Sequence, residues 1–396
     1  MYQALYRKYR PRSFSDVAGQ EHITETLRRQ IVANRLSHAY LFVGTRGTGK
    51  TTCAKILSRA VNCLQPEDGN PCNKCISCIG IEDGSILDVL ELDAASNNGV
   101  DDVRAMRDEA IYSPASVRKR VYIVDEVHML STPAFNALLK ILEEPPEHIV
   151  FILATTELHK VPATILSRCQ KFSFKRLPAG EISKRLLKIA ASEKQDLTQE
   201  AAEKLSILAD GSMRDGISLL DQCACDKKID LVHVLDTIGL AGEDELLGMV
   251  KAVAKSDISI ILDILGSLYA DGKDMAALLS ELVGFFRDML VVSLSPDSAL
   301  IGTGISRKEL SDLSKTFTTE RLLYCLSVSK DALFSLSRGG ISRLTLEMCL
   351  IKMCIEENKP ATSGNALTEA VNNKSAEDAK SSSLDKLSAF DIVKFE

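Results

Sequence analysis

The first residues able to do chemistry are Gly44-Thr45-Arg46-Gly47-Thr48-Gly49-Lys50-Thr51, which fit G-x-x-x-x-G-K-[ST]. An apolar run, His38 to Val43, precedes them, and a helical run from Thr52 to Val61 follows. In that strand–loop–helix setting the pattern reads as a Walker A loop. The glycines let the backbone curl so that successive N–H groups converge on phosphate oxygens, and the new helix adds its positive end. Lys50 is placed to reach the β- and γ-phosphates, and Thr51 to hold Mg2+ through its hydroxyl. Residues 44–52, Thr52 included, are the expected phosphate cradle. A chance glycine-rich turn is the bland alternative.

A second acidic element completes this chemistry. The apolar strand Val121-Tyr122-Ile123-Val124 delivers Asp125-Glu126 at its C-terminal edge, which reads as a Walker B sequence. Asp125 is expected to share Mg2+ with Thr51. Glu126 is expected to polarise the attacking water as general base. A further strand, Ile149 to Ala154, ends at Thr155-Thr156, where a hydroxyl is placed to sense the γ-phosphate or the water. Strand-end capping is the alternative for both threonines.

Four of the eleven cysteines cluster as Cys63-x8-Cys72-x2-Cys75-x2-Cys78. Two C-x2-C steps let adjacent thiolates share one metal, with Gly69-Asn70-Pro71 as the turn. Zinc in a closed, structural role is expected, and an iron–sulfur cluster is the other option. A catalytic zinc favours an open position and a His, and no His occurs between Lys50 and Asp101. The remaining seven cysteines (Cys53, Cys169, Cys223, Cys225, Cys325, Cys349, Cys354) read as small buried hydrophobes.

Strands alternating with helices over residues 1–177 predict an α/β domain with a parallel, doubly wound sheet around the loop. Pro11 forces an extended entry, and Gly19-Gln20-Glu21 leads into a helix to about Asn34. A second strand is expected over Ile86 to Leu92, and Thr132-Pro133 is expected to cap and start a helix bearing Phe135, Leu138, Leu139 and Leu142. A last short strand is expected around Phe172-Ser173-Phe174. From Pro178 the period is helical throughout: a small bundle over 178–241, then a region over 242–357 with apolar faces such as Leu278, Leu282, Phe285, Phe286 and Met289. Residues 358–396, rich in Ser, Asn, Lys and Ala, are expected to be disordered.

The net charge of −6 is not that of a generic nucleic-acid binder. Residues 1–60, however, hold many more basic than acidic side chains, as expected for a face that docks one anionic partner or for a solvated face. No apolar run has the roughly 18–20 residues of a membrane span. The N-terminus lacks the apolar core of a signal peptide, so a cytoplasmic location is expected.

Taken together and in order, the Walker A loop, the cysteine insertion, VYIVDEVHML, NALLKILEEPPEH, ILATTE and ILSRCQKF closely resemble the gamma/tau subunits of the bacterial DNA polymerase III clamp loader, an AAA+ ATPase family. YRKYRPRSFSDVAGQEH and HAYLFVGTRGTGKTT extend the match to the N-terminus, and DGSMRDGISLLDQ carries it through the helical bundle. The delta-prime relative shares the cysteines and Ser167-Arg168-Cys169 but lacks a working Walker A loop. The resemblance implies an AAA+ P-loop domain with a zinc insertion, a helical lid and an all-helical collar. It implies ATP, Mg2+ and Zn2+ as cofactors. It makes Arg168 an arginine finger offered to a neighbouring subunit and Arg214 the sensor arginine of the lid. Thr155 and Thr156 fall at the first sensor, and Tyr6, Arg10, Val17 and Ala18 line the adenine and ribose.

Delta, delta-prime and further gamma/tau copies are the implied partners, in an open ring of five subunits joined by collars. Sliding clamp and primed-template DNA are the implied clients, and no membrane is involved. The turn Ser96-Asn97-Asn98-Gly99 lacks the basic residues common there in the family, which weakens direct phosphate contact at that turn. The length points to a short, gamma-like form. An ATP-binding scaffold without turnover, or another AAA+ motor of helicase type, remains the rival reading. No N/T-K-x-D guanine signature and no separate carboxylate cluster for polymerase chemistry occur.

Overall fold

The structure is a computed structural model that describes residues 2–224, 228–295 and 306–355; Cys225 and the expected tail lie outside them. Five strands form one sheet: β1 (Ala39–Val43), β2 (Val89–Asp93), β3 (Arg120–Asp125), β4 (Ile149–Thr155) and β5 (Gln170–Ser173). Their order is β2-β3-β4-β1-β5, and every pair is parallel. The period of two along each strand divides the interior into two cores. Leu41, Tyr122, Val124, Phe151 and Leu153 face one side, while Tyr40, Phe42, Ile123, Val150 and Ile152 face the other.

Helices cover both faces, as an all-parallel sheet requires. After the one-turn α1 (Leu5–Lys8), α2 (Glu21–Val32) and α3 (Lys50–Asn62) bury Ile23, Leu27, Cys53, Ile56 and Leu57 against the second side. The short α4 (Ile76–Asp83) follows the cysteine loop. On the first side, α5 (Val100–Ala110), α6 (Thr132–Glu143) and α7 (Ala163–Leu166) contribute Val103, Met106, Leu138, Leu142 and Ile165. The chain leaves β1 for the far edge, returns through β3 and β4, then passes over β1 to β5. That reversal puts a crevice at the carboxyl ends of β1, β3 and β4, where ligands of open α/β sheets bind.

Three boundaries differ from expectation. Strand β2 begins at Val89, not Ile86, because Asp88 is called elsewhere: its Oδ2 accepts the N–H groups of Ala115 (3.0 Å) and Ser116 (2.8 Å), and its Oδ1 accepts from Arg120 Nη2 (3.0 Å). Leu87 is correspondingly turned out to solvent. Helix α6 is capped by Ser131, whose Oγ accepts from the Ala134 N–H, so Thr132 and Pro133 are already its first turn. Strand β5 is displaced toward the N-terminus, and Phe174 lies beyond it, donating its N–H to the Val43 carbonyl at 2.7 Å.

Burial alone would raise the Asp88 pKa, but the Ser116 N–H, the Arg120 guanidinium and the Ala115 N–H outweigh it and hold the value below the ordinary one. Its stabilising contribution is therefore complete above the unfolded value of about 3.9 and is lost as pH falls through the lower folded value. Asp88→Ala strands the Arg120 charge and two buried N–H groups, and should cost about 3 kcal/mol at neutral pH in denaturant unfolding. An unchanged midpoint would refute that role.

Two helical regions follow. Helices α8 (Ala179–Ser192), α9 (Gln199–Leu208), α10 (Met213–Cys223) and α11 (Leu231–Ile238) share a core with a parallel pair of two-residue strands, β6 (Asp196–Leu197) and β7 (Lys228–Ile229). Leu5, from the opposite end of the chain, is buried in that same core. Gly242 then caps α12 (Glu243–Ala254), with its N–H donated to the Glu245 carboxylate. Helices α13 (Ile258–Ala270), α14 (Met275–Leu294), α15 (Arg307–Ser314), α16 (Thr319–Ser337) and α17 (Ser342–Ile355) complete this last core, where Leu278, Leu282, Phe285, Phe286 and Met289 are all buried.

Candidate nucleotide site and cysteine cluster

The loop leaving β1 is shaped by its glycines. A Cβ on Gly44 would lie 2.7 Å from the Phe174 carbonyl oxygen, and Gly49 enters α3 at φ +105°. Only glycine suits both places. Thr48 ties the loop to itself by donating Oγ1–H to the Thr45 carbonyl (2.8 Å). Thr45 and Arg46 form its exposed crest. Lys50, the first residue of α3, is buried, and its Nζ donates to the carbonyls of Gly44 (2.9 Å) and Thr45 (3.0 Å). Burial lowers its pKa, and the nearby Glu126 and Asp125 charges oppose that shift. A buried ammonium with neutral carbonyl partners is a strong attractor of anionic oxygen.

Thr51 and Asp125 meet directly, Oγ1–H to Oδ2 at 2.6 Å, and the other Asp125 oxygen accepts the Glu126 N–H at 3.0 Å. Glu126 adopts a left-handed backbone at φ +47°, a strained state for a non-glycine residue that clusters at functional sites. Its Oε2 accepts from Thr156, both N–H (3.2 Å) and Oγ1–H (3.0 Å). Thr155 is engaged differently: its Oγ1 accepts the Glu157 N–H and lies 3.0 Å from His128 Nδ1. Thr156 is thus the threonine that touches Glu126, while Thr155 reaches it only by way of His128. The hydroxyl of Thr51 beside the Asp125 carboxylate is an all-oxygen pair suited to a hard divalent cation such as Mg2+.

A cleft opens beside the loop, and the lid forms its other wall. Tyr6, Arg10, Val17 and Ala18 line it together with Gly47 to Thr52, and Arg214 faces them from α10. The Arg214 guanidinium lies 4.9 Å from the centre of the Tyr6 ring. Lid and loop touch: the Met213 N–H donates to the Gly47 carbonyl (3.1 Å), and a Cβ on Gly47 would overlap the Ser212 hydroxyl. Arg168 is elsewhere. It follows α7, donates from Nη2 to Glu143 (2.8 Å) and from Nη1 to the Thr164 carbonyl (2.8 Å), and does not line the cleft.

Several participants escaped the sequence reading. Gln20 is fully buried and clamps the β5 exit, its Nε2 donating to the Lys175 carbonyl (2.7 Å) and its Oε1 accepting the Lys175 N–H. In sequence, Gly19-Gln20-Glu21 marks it only as a helix entry. Leu177, Met213 and Ile217 also line the cleft. In sequence they are ordinary apolar residues, and nothing distinguishes them from core. His128 stands between the Glu126, Thr155 and Glu157 side chains. Five of the eleven basic residues among 1–60 are ion-paired: Lys8 with Glu193, Arg28 with Asp68, Arg29 with Glu25, Lys55 with Glu91 and Arg59 with Glu82.

The cysteine cluster closes on itself. The sulfur atoms of Cys63, Cys72, Cys75 and Cys78 all lie within 4.8 Å of one another, with Cys72 and Cys78 at 4.0 Å. A tetrahedral zinc with Zn–S of about 2.3 Å needs sulfur atoms about 3.8 Å apart, so the set fits that ion. Backbone N–H groups of Cys72, Cys75 and Cys78 point at the sulfurs of Cys63 (3.3 Å), Cys72 (3.3 Å) and Cys75 (3.5 Å), as suits thiolates. Burial opposes the Cys75 thiolate, but the Leu64 and Cys78 N–H groups outweigh it and bring its pKa to about 6, whereas burial holds the Cys63 and Cys78 thiols above the ordinary value. Cys53, by contrast, is pushed up to about 12 by burial and is inert. Cys72→Ser should release one zinc per chain and loosen residues 63–78. Metal analysis finding no zinc in wild-type protein purified without chelator would sink this assignment.

A glycine-rich loop at the switch point of a parallel sheet, with Asp125 and Glu126 one strand beyond Thr155, defines the P-loop nucleotide-binding fold of AAA+ type, here with a helical lid. Family profiles match in sequence along the chain: "DNA polymerase III, delta subunit" over residues 19–178, "DNA polymerase III clamp loader subunit, ATPase lid domain" over 181–225, and "DNA polymerase III subunits gamma and tau domain III" over 229–366. The chain is 43% identical to DNA polymerase III subunit tau of Bacillus subtilis, over 91% of this chain and 64% of that one. It is 41% identical to DNA polymerase III subunit tau of Escherichia coli, over 78% of this chain and 48% of that one. It therefore spans about half to two thirds of these relatives' length. The RuvB Holliday junction branch migration motor of Thermotoga maritima aligns with TM-score 0.46 and 18% identity, over 69% of this chain and 87% of that one. The chain belongs to the gamma/tau family of DNA polymerase III subunits.

Proposed function

We propose that the chain is an ATP-driven clamp-loader subunit that uses nucleotide binding and hydrolysis to place a sliding clamp on primed-template DNA. The observation that carries this reading is the Thr51–Asp125 hydrogen bond, which joins the phosphate loop to the acidic strand end at one point. Lys50 and the loop N–H groups bind the triphosphate, and the Tyr6–Arg10 and Val17–Ala18 segments hold the base and ribose. Thr51 and Asp125 are the residues to hold Mg2+, which when bound neutralises charge on the phosphate oxygens. Glu126 orients the attacking water once Thr156 releases it, and Thr155 senses the result. Arg214 reports the nucleotide to the lid, whose start already rests on Gly47. The distance of Arg168 from this cleft supports its use on a neighbouring subunit's nucleotide.

The proposed domains are 1–177 for the ATPase with its zinc insertion, 178–241 for the lid and 242–357 for the collar. Delta, delta-prime and further copies of this family complete the ring of five subunits. Among the described residues no helix is long and apolar enough to cross a membrane, and the proposed location is the cytoplasmic replisome. ATP hydrolysis measured with and without primed DNA plus a sliding clamp tests the reading. Stimulation by the pair together is expected. A rate indifferent to both would remove the clamp-loading function, and no hydrolysis under any condition would leave a nucleotide-binding scaffold.

A further inference from the structure

The residues between the cysteines reach back to the start of the chain. Asn70 Oδ1 accepts the Phe14 N–H at 2.9 Å, and its Nδ2 donates to Ser15 Oγ at 3.3 Å. Asn73, between Cys72 and Cys75, donates from Nδ2 to the Arg12 carbonyl at 3.2 Å. That same carbonyl accepts from Arg59 Nη2 at 3.4 Å, and Arg59 is ion-paired with Glu82 of α4. The turn at Gly69 presses so close to α2 that a Cβ there would lie 2.6 Å from the Arg28 carbonyl oxygen. Residues 12–15 are thus gripped by the cysteine loop on one side and by α3 on the other. Immediately before them come Arg10 and Pro11, and just after them Val17 and Ala18, all four in the wall of the nucleotide cleft.

Asn73 is held in a left-handed backbone at φ +57°, and its Oδ1 is buried without a hydrogen-bond partner. Closure of the cysteines around a metal fixes the loop, and the loop then imposes Asn73 on the segment. We propose that Asn70 and Asn73 are positioning residues through which metal occupancy of the cysteine cluster sets nucleotide affinity. The inference rests on the nucleotide reading above. With the cluster open, the two amides lose their fixed anchor and residues 10–18 sample other arrangements. Binding then has to order the cleft wall, and apparent affinity falls by the fraction of chains with a formed wall.

The test uses the full chain and a fluorescent ATP analogue, with zinc content and circular dichroism recorded for every sample. Asn70→Ala with Asn73→Gly deletes both amides, and glycine keeps the left-handed turn available. Stripping zinc from the wild type should weaken the analogue about tenfold, the effect of a cleft wall that is formed in only about a tenth of the chains. The double variant should retain its zinc and bind as weakly as the stripped wild type, and stripping it should cost nothing further. Asn70→Asp, which keeps the acceptor for the Phe14 N–H, should retain most of the affinity; a purely structural lesion would give no such rescue. Should stripping unfold the wild type, the zinc-loaded variants decide alone. Wild-type affinity in the zinc-loaded double variant would overturn the proposal. So would equal losses on stripping variant and wild type. A zinc-loaded wild type that binds no nucleotide at all would instead overturn the nucleotide site itself.

Discussion

Lys50→Ala should weaken nucleotide binding about 100-fold, while Glu126→Gln should leave binding intact and remove turnover. The two residues are close enough for the Glu126 charge to act on the Lys50 pKa, yet they do different things. Lys50 is a buried cation whose present partners are two carbonyl oxygens, so an anionic phosphate is a better partner than those it has. Losing a charged hydrogen bond of that kind should weaken binding by about 100-fold. Glu126 is instead held away from substrate chemistry by Thr156, through two hydrogen bonds to one carboxylate oxygen. A Gln at 126 keeps an acceptor for Thr156 and the same volume, so the fold and the cleft should not change. It loses the base, and a positioned general base is worth about 10²–10⁴-fold in rate. The readouts are affinity for a fluorescent nucleotide and phosphate release under saturating ATP. Wild-type hydrolysis by Glu126→Gln would end the general-base assignment, whereas loss of affinity in that variant would mean that Glu126 serves binding instead.

Much of this site was legible because its parts are contiguous in sequence. The phosphate loop announces itself through three glycines and a lysine at fixed offsets, and β3 through an unbroken apolar run ending in Asp125-Glu126. Such local signals need no knowledge of the sheet order. What could not be read were the contacts between distant segments. Gln20 matters because the chain returns at Lys175, and Met213 because the lid comes back onto Gly47. Neither return is coded by any local pattern. The N-terminal segment is the strongest case: Leu5, near the start of the chain, is buried in the lid core, where Asp221 accepts its N–H at 3.1 Å. A reading by order along the chain assigns it to the sheet domain. Asp88 illustrates the opposite error, since an apolar run around it suggested a longer strand. The carboxylate had backbone N–H groups to satisfy, and that demand ended the pairing.

Mixing two inactive variants should restore hydrolysis, and this outcome decides whether the site is shared between subunits. Arg168 is held on its own chain by Glu143 and the Thr164 carbonyl, away from the cleft that Lys50 lines. Its pair with Glu143 is half-exposed, so little energy opposes its transfer to a phosphate across a subunit boundary. In the proposed ring that guanidinium faces the next subunit's nucleotide, where such a charge is worth about 10³–10⁵-fold in rate in related enzymes. An Arg168→Ala chain keeps its own Lys50 but offers no finger. A Lys50→Ala chain offers the finger but cannot bind nucleotide. When the two assemble together, one of the two kinds of mixed contact joins an intact Lys50 site to an intact Arg168, and that contact should turn over ATP. If the arginine acts on its own chain's nucleotide, every chain in the mixture is defective and mixing restores nothing. Partner subunits that could lend an arginine must be left out or supplied equally to every sample, with assembly followed by sizing. A mixture that assembles and stays inactive would return Arg168 to the role its present contacts describe, a tether between α6 and the turn before β5.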